Sequence, residues 1–93
     1  MKKFTFYSDA GHGWLKVPKA LIIELGIADK ISHFSYERSD SVYLEEDCDF
    51  PLFAQAYAPT TGISMNVISS NDSRVRTYRP YYPACLHNTR VYK

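Results

Sequence analysis

Residues 13–27, "GWLKVPKALIIELGI", decide the reading of the fold. Trp14-Leu15-Lys16-Val17 alternates, placing Leu15 and Val17 on one face and Trp14 and Lys16 on the other, which is the period of a strand. Pro18 then presets φ near the helical value and lacks only an N–H that a first helical turn leaves unpaired. Leu21, Ile22 and Leu25 form one apolar stripe. Gly26 offers a left-handed position after the last turn, and Ile27 offers an apolar contact back onto the helix. The stretch predicts a strand running directly into a helix over about 18–25.

Upstream, Phe4-Thr5-Phe6-Tyr7 reads as a short aromatic strand. Ser8 to Gly13 reads as the loop that joins it to Trp14-Val17, with His12 exposed at its tip. Gly11-His12-Gly13 lacks the spacing of a phosphate cradle. The Walker form needs a second Gly followed by Lys-Ser/Thr, and the dinucleotide form needs a third Gly with a helix directly after the turn; here a strand intervenes.

Downstream, Ile31–Tyr36 and Ser41–Glu45 predict a second hairpin around the polar turn Glu37-Arg38-Ser39-Asp40, with Phe34 and Tyr36 opposite Val42 and Leu44. A helix over 50–57 follows, capped by Asp49, buried through Leu52, Phe53, Ala56 and Tyr57, and ended by Pro59. Ile63–Val67 and Arg74–Tyr78 alternate as strands. Pro80 and Pro83 then forbid regular ladder pairing, so residues 79–93 are expected to be extended or loosely packed. The predicted fold class is α+β: one small domain in the order ββαββαββ, with antiparallel hairpins and two short helices. Residues 1–78 form its compact body, and 79–93 a basic, Tyr- and Pro-containing segment on or extending from it.

Ninety-three residues suffice for one core and no deep two-domain cleft. No stretch approaches the roughly 20 apolar residues of a membrane span, and Met1-Lys2-Lys3 is followed by no long apolar segment, so a cytoplasmic protein is expected. Cys48 and Cys85 are too few for a disulfide framework. With His12, His33 and His87 they offer one close pair, Cys85-Leu86-His87, whose spacing is not that of a zinc site. Asp47 and Asp49 flank Cys48 and weaken it as a nucleophile. No catalytic residue, metal ligand or cofactor is assigned, and no enzyme is expected.

The charges divide the chain. Residues 1–72 carry six basic groups (Lys2, Lys3, Lys16, Lys19, Lys30, Arg38) against all ten acids, whereas 73–93 carry Arg74, Arg76, Arg79, Arg90 and Lys93 and no acid. In "SRVRTYRPYYPACLHNTRVYK", residues 73–93, Arg74, Arg76 and Tyr78 would project from one strand face with Arg79, Tyr81 and Tyr82 following. Guanidinium groups neutralise phosphate and Tyr rings stack on bases, so Arg74, Arg76, Tyr78, Arg79, Tyr81, Tyr82, Arg90 and Lys93 are the candidate partner or nucleic-acid contacts. The competing reading packs these tyrosines on the body and leaves the arginines to water or to the acids of 45–49. Alternation sends Glu45 and Asp47 to one side and Glu46 to the other. These three are read as a solvated strand end, or as an acidic patch that would attract a basic partner.

Two resemblances rest on these residues. Residues 13–46, through Val17-Pro18-Lys19 and Leu25-Gly26-Ile27, resemble the AbrB-type swapped-hairpin transcription factors; this implies an interlocked homodimer that binds DNA as a regulator or antitoxin. "FTFYSDAGHGWLKVP" and "SYERSDSVYLEEDCD" are similar to short phage and plasmid proteins, a class that includes anti-CRISPR inhibitors. That similarity runs along most of the chain and sets the principal expectation. It implies a non-enzymatic inhibitor that blocks a host protein or ribonucleoprotein defence complex by occupying its surface, touching its RNA or DNA.

Overall fold

The computed structural model describes residues 3–69 and 74–88. It is an α+β domain whose one sheet has six strands in the order β5-β1-β2-β4-β3-β6. The strands are β1 (Lys3–Ser8), β2 (Gly13–Pro18), β3 (Tyr36–Arg38), β4 (Ser41–Glu45), β5 (Ser64–Ser69) and β6 (Arg79–Pro80), with helices α1 (Lys19–Leu25), α2 (Phe50–Tyr57) and α3 (Cys85–Asn88). The ββαββαββ order is present, followed by the one-turn α3.

The strand-to-helix stretch folds as its pattern dictates. Leu15, Val17 and Ile22 are fully buried. Gly26 closes α1 at φ 70°, its N–H donating to the Ile23 carbonyl at 3.0 Å, and Ile27 packs back into the core. The loop before β2 is built by Asp9, whose Oδ1 accepts the Gly11 and His12 N–H groups at 3.0 and 2.9 Å. Gly13 permits a close approach: a Cβ there would meet the Phe6 ring at 2.3 Å and Glu46 Oε1 at 2.7 Å. Gly13→Ala is therefore expected to lose about 1–3 kcal/mol in urea unfolding, because the ring is held against Phe50 and has little room to yield.

One face of the sheet carries the helices. Phe4 meets Phe53 and Tyr57 edge-on at 5.5 and 5.4 Å, and Leu15, Val17, Val42, Leu44, Ile27 and Ile31 complete this core. The other face carries Trp14, Tyr43 and Val75, with Tyr7, Tyr36 and Tyr78 packed against them.

Five local expectations are corrected. Residues 32–35 form a turn and not a strand: Phe34 is exposed, β3 begins at Tyr36, and the tight turn to β4 is Ser39-Asp40, with Ser39 at φ 52°. Asp49 does not cap α2 with its side chain. Pro51 removes one first-turn donor, and the buried carboxylate instead accepts the Ser32 N–H at 3.0 Å, the Ser32 hydroxyl at 2.7 Å and the Ser35 hydroxyl. β5 forms no hairpin with the segment after it but pairs parallel with β1, Phe4 aligned with Met65. Arg74–Thr77 is a 3-10 turn, not a strand. Finally, residues 79–86 are not loosely packed. Arg79 and Pro80 pair with β3 at the sheet edge, where a missing N–H costs no ladder bond, while Tyr81, Cys85 and Leu86 enter the helix-side core.

Candidate functional site

On the sheet face away from α1 and α2, strand alternation lines up Tyr7, Trp14, Tyr36 and Tyr43. Tyr7 lies opposite Trp14, and Tyr36 opposite Tyr43. The 3-10 turn lies across them and buries Val75. Tyr78 meets Tyr43 at 4.9 Å between ring centroids. Burial, reinforced by the neighbouring Tyr78 and Tyr7 phenols, pushes the Tyr43 hydroxyl up to about 12, so it stays a neutral packing group.

The turn's arginine is spent locally. Arg76 grips Asp9 with Nε to Oδ2 at 2.8 Å and a second nitrogen to Oδ1 at 3.2 Å, and its guanidinium lies 5.2 Å from the Trp14 ring centroid. That grip, with the loop N–H groups, holds the Asp9 carboxyl far below the usual carboxylate range.

Two surface cavities flank this turn. The first, about 310 Å³, is lined by His12, Trp14, Phe34, Tyr36, Glu45, Asp47, Cys48 and Arg76. Trp14 is 2% exposed, and its indole N–H is the one buried side-chain polar group among the described residues with no hydrogen-bond partner. Glu45 is buried, so it is not the freely exposed acid of a partner-facing patch. Burial pushes its carboxyl up, but the Cys48 and Asp47 N–H groups, each donating to Oε1 at 2.8 Å, outweigh this and hold it below its ordinary value. Asp47 is exposed, and its carboxylate makes no hydrogen bond among the described residues; Glu46, also exposed, lies beside Gly13 and away from the cavity. Desolvation, then Glu45, Asp49 and Asp47, push the Cys48 thiol up and keep it protonated at neutral pH.

The second cavity, about 330 Å³, is lined by Glu37, Arg38, Ser39, Thr77, Tyr78 and Arg79. Arg38 lies over the Tyr78 ring at 5.1 Å and donates to its hydroxyl at 3.3 Å. Glu37 is neutralised by Lys19 at 2.8 Å on the helix side. Arg38 and Arg79 form no ion pair among the described residues, and the register that sets Arg79 opposite Glu37 brings them to this concavity from the two faces of the sheet edge.

The predicted basic and Tyr-rich set is thus divided. Tyr78 and Arg79 sit in the second cavity, Arg76 in the first, and Arg74 is exposed at the start of the turn. Tyr81 is withdrawn from any stacking surface: it is 2% exposed, its hydroxyl donates to the Ala28 carbonyl at 2.7 Å, and burial raises its pKa. Tyr82 is exposed outside both cavities. Arg90 and Lys93 lie outside the described residues. The sequence reading misses Arg38, Ser39 and Thr77 as site residues, and Trp14, Phe34 and Tyr36 as cavity walls. Arg38 and Ser39 read as a polar turn, and the β3–β6 pairing that sets Glu37 opposite Arg79 has no local signature.

Among the described residues no three His, Cys, Asp or Glu side chains gather as a metal would require, and no helix is long and apolar enough to cross a membrane. Comparison of the chain with protein-family models, curated proteins and solved structures finds no match.

Proposed function

We propose that this chain is a small non-enzymatic interaction protein of the phage or mobile-element kind, which inhibits a host nucleoprotein defence complex by binding its surface and a phosphate of its RNA or DNA. The observation that supports the phosphate contact is the cavity lined by Arg38, Ser39, Thr77, Tyr78 and Arg79, in which Arg38 already donates to the Tyr78 hydroxyl. Guanidinium groups match phosphate oxygens in charge and geometry, and the Ser39 and Tyr78 hydroxyls supply further donors, the Thr77 hydroxyl already donating to the Arg74 carbonyl at 2.6 Å.

Binding of a single-stranded uridine hexamer, titrated against salt, tests this contact. Arg38→Ala and Arg79→Ala are each expected to weaken binding and reduce the magnitude of the log–log salt slope by about 0.7 for each phosphate that is no longer neutralised. Both residues are exposed, so the variants keep their fold. A slope unchanged in both variants removes nucleic acid from the proposal. Pull-down from host lysate, with and without nuclease, then reports whether a stoichiometric complex is retained; recovery of none overturns the inhibitor reading. Sedimentation as an obligate dimer would favour the AbrB-like alternative.

A further inference from the structure

Resting on that reading, we infer that the first cavity receives an unstacked guanine base of a single strand whose phosphate occupies the Arg38–Arg79 cavity. The two cavities are lined by neighbouring residues of the 3-10 turn and of β3. Arg76 lines the first and Thr77 the second, and Tyr36 and Glu37 divide between them in the same way. A nucleotide lying across this turn places its base on one side and its phosphate on the other.

The groups of the first cavity state what the base must offer. Trp14 presents a buried indole N–H without an acceptor, so the ligand needs an acceptor. Asp47 lines the cavity with a carboxylate that has no donor among the described residues, so the ligand needs N–H groups. Phe34, 58% exposed, and the half-buried Tyr36 offer aromatic surface, which suits a planar ring. Guanine carries all three features on one side: O6 accepts, while N1–H and N2–H₂ stand together for one carboxylate. Adenine has no second N–H beside its amino group on that edge, and cytosine and uracil offer a smaller stacking area. A carboxylate also discourages phosphate from entering this cavity, which fixes the direction of the strand. His12, whose side chain is 49% exposed, forms the movable part of the rim, and a rotamer change there opens the way to the indole while Arg76 stays held on Asp9.

Trp14 is the only tryptophan, so its emission reports occupancy directly. The probes are uridine hexamers carrying guanine, adenine, cytosine or uracil at the third position, and free guanosine monophosphate. The guanine hexamer is expected to change Trp14 emission and bind at least about fivefold tighter than the adenine hexamer. Asp47→Asn is expected to abolish that preference without weakening the uridine hexamer; Arg79→Ala is expected to weaken all four hexamers equally. Equal affinity for guanine and adenine, or a preference unchanged in Asp47→Asn, overturns the base pocket and leaves the phosphate reading standing. A guanine hexamer affinity unchanged in both Arg38→Ala and Arg79→Ala does the reverse. Free guanosine monophosphate binding as tightly as the hexamer overturns the strand as its source and assigns the cavity to a nucleotide.

Discussion

Lys19→Met is expected to destabilise the domain by about 3–5 kcal/mol, read as a lowered urea midpoint with an unchanged slope. Lys19 is the first residue of α1 and is only 2% exposed, yet it carries an ammonium group. That group donates to Glu37 Oε1 at 2.8 Å and to the Cys85 carbonyl at 3.4 Å, joining α1, β3 and α3. Methionine reproduces the aliphatic stem, so the loss measures what happens when Glu37 stays buried without a counter-charge. The double variant Lys19→Met/Glu37→Leu separates charge from packing. Removing both charges is expected to recover most of the loss, since a buried pair gains little over an apolar pair of similar volume. A double variant no more stable than Lys19→Met shows that the stem geometry matters, not the unpaired carboxylate.

Asp49→Ala is expected to cost at least about 3 kcal/mol. Its carboxylate is the acceptor for three donors, the Ser32 N–H and the hydroxyls of Ser32 and Ser35, and each donor left unpaired in a buried site costs about 1–3 kcal/mol. The damage spreads to the sheet, because the Ser35 hydroxyl also accepts the Glu45 N–H at 2.9 Å and so fixes the end of β4 beside the first cavity. Asp49→Asn is the informative control. It keeps the volume and one carbonyl oxygen, and the serine hydroxyls can reorient toward its amide, so a smaller loss is expected. An Asp49→Ala variant within about 1 kcal/mol of the native protein would show that water replaces the carboxylate there.

The elements legible in the sequence are those fixed by neighbours in the chain. Pro18 and Gly26 bracket α1, the alternation of β2 and β4 marks their buried faces, and Pro59 follows α2 closely. Arg74-Val75-Arg76 misleads because one buried residue between two exposed ones satisfies a strand and a 3-10 turn equally well; only the aromatic face beneath Val75 selects the turn. Asp49 misleads because a cap and a buried acceptor ask for the same residue, and the serines that claim it lie far back in the chain. The candidate site is legible in its chemistry and not in its place. Tyr78 and Arg79 are legible as candidate contacts only, and Arg38, which lines the same cavity, comes from another hairpin, brought beside them by a pairing of two residues at the sheet edge. The Trp14 N–H has no sequence signal at all, since a missing acceptor is a property of the packed structure.

The parallel pairing of β1 with β5 sets a timetable for synthesis. Lys3 aligns with Ser64, so the earliest-made strand of the sheet waits for β5 before its second edge is satisfied. At about 5–20 residues per second, several seconds separate the two. Throughout that interval the nascent chain presents Phe4 and Phe6, destined for the helix-side core, beside an open row of backbone donors and acceptors. Polysomes translating this message therefore hold a population of sticky half-sheets, and the burden on holding chaperones falls on the growing chain rather than on the finished protein.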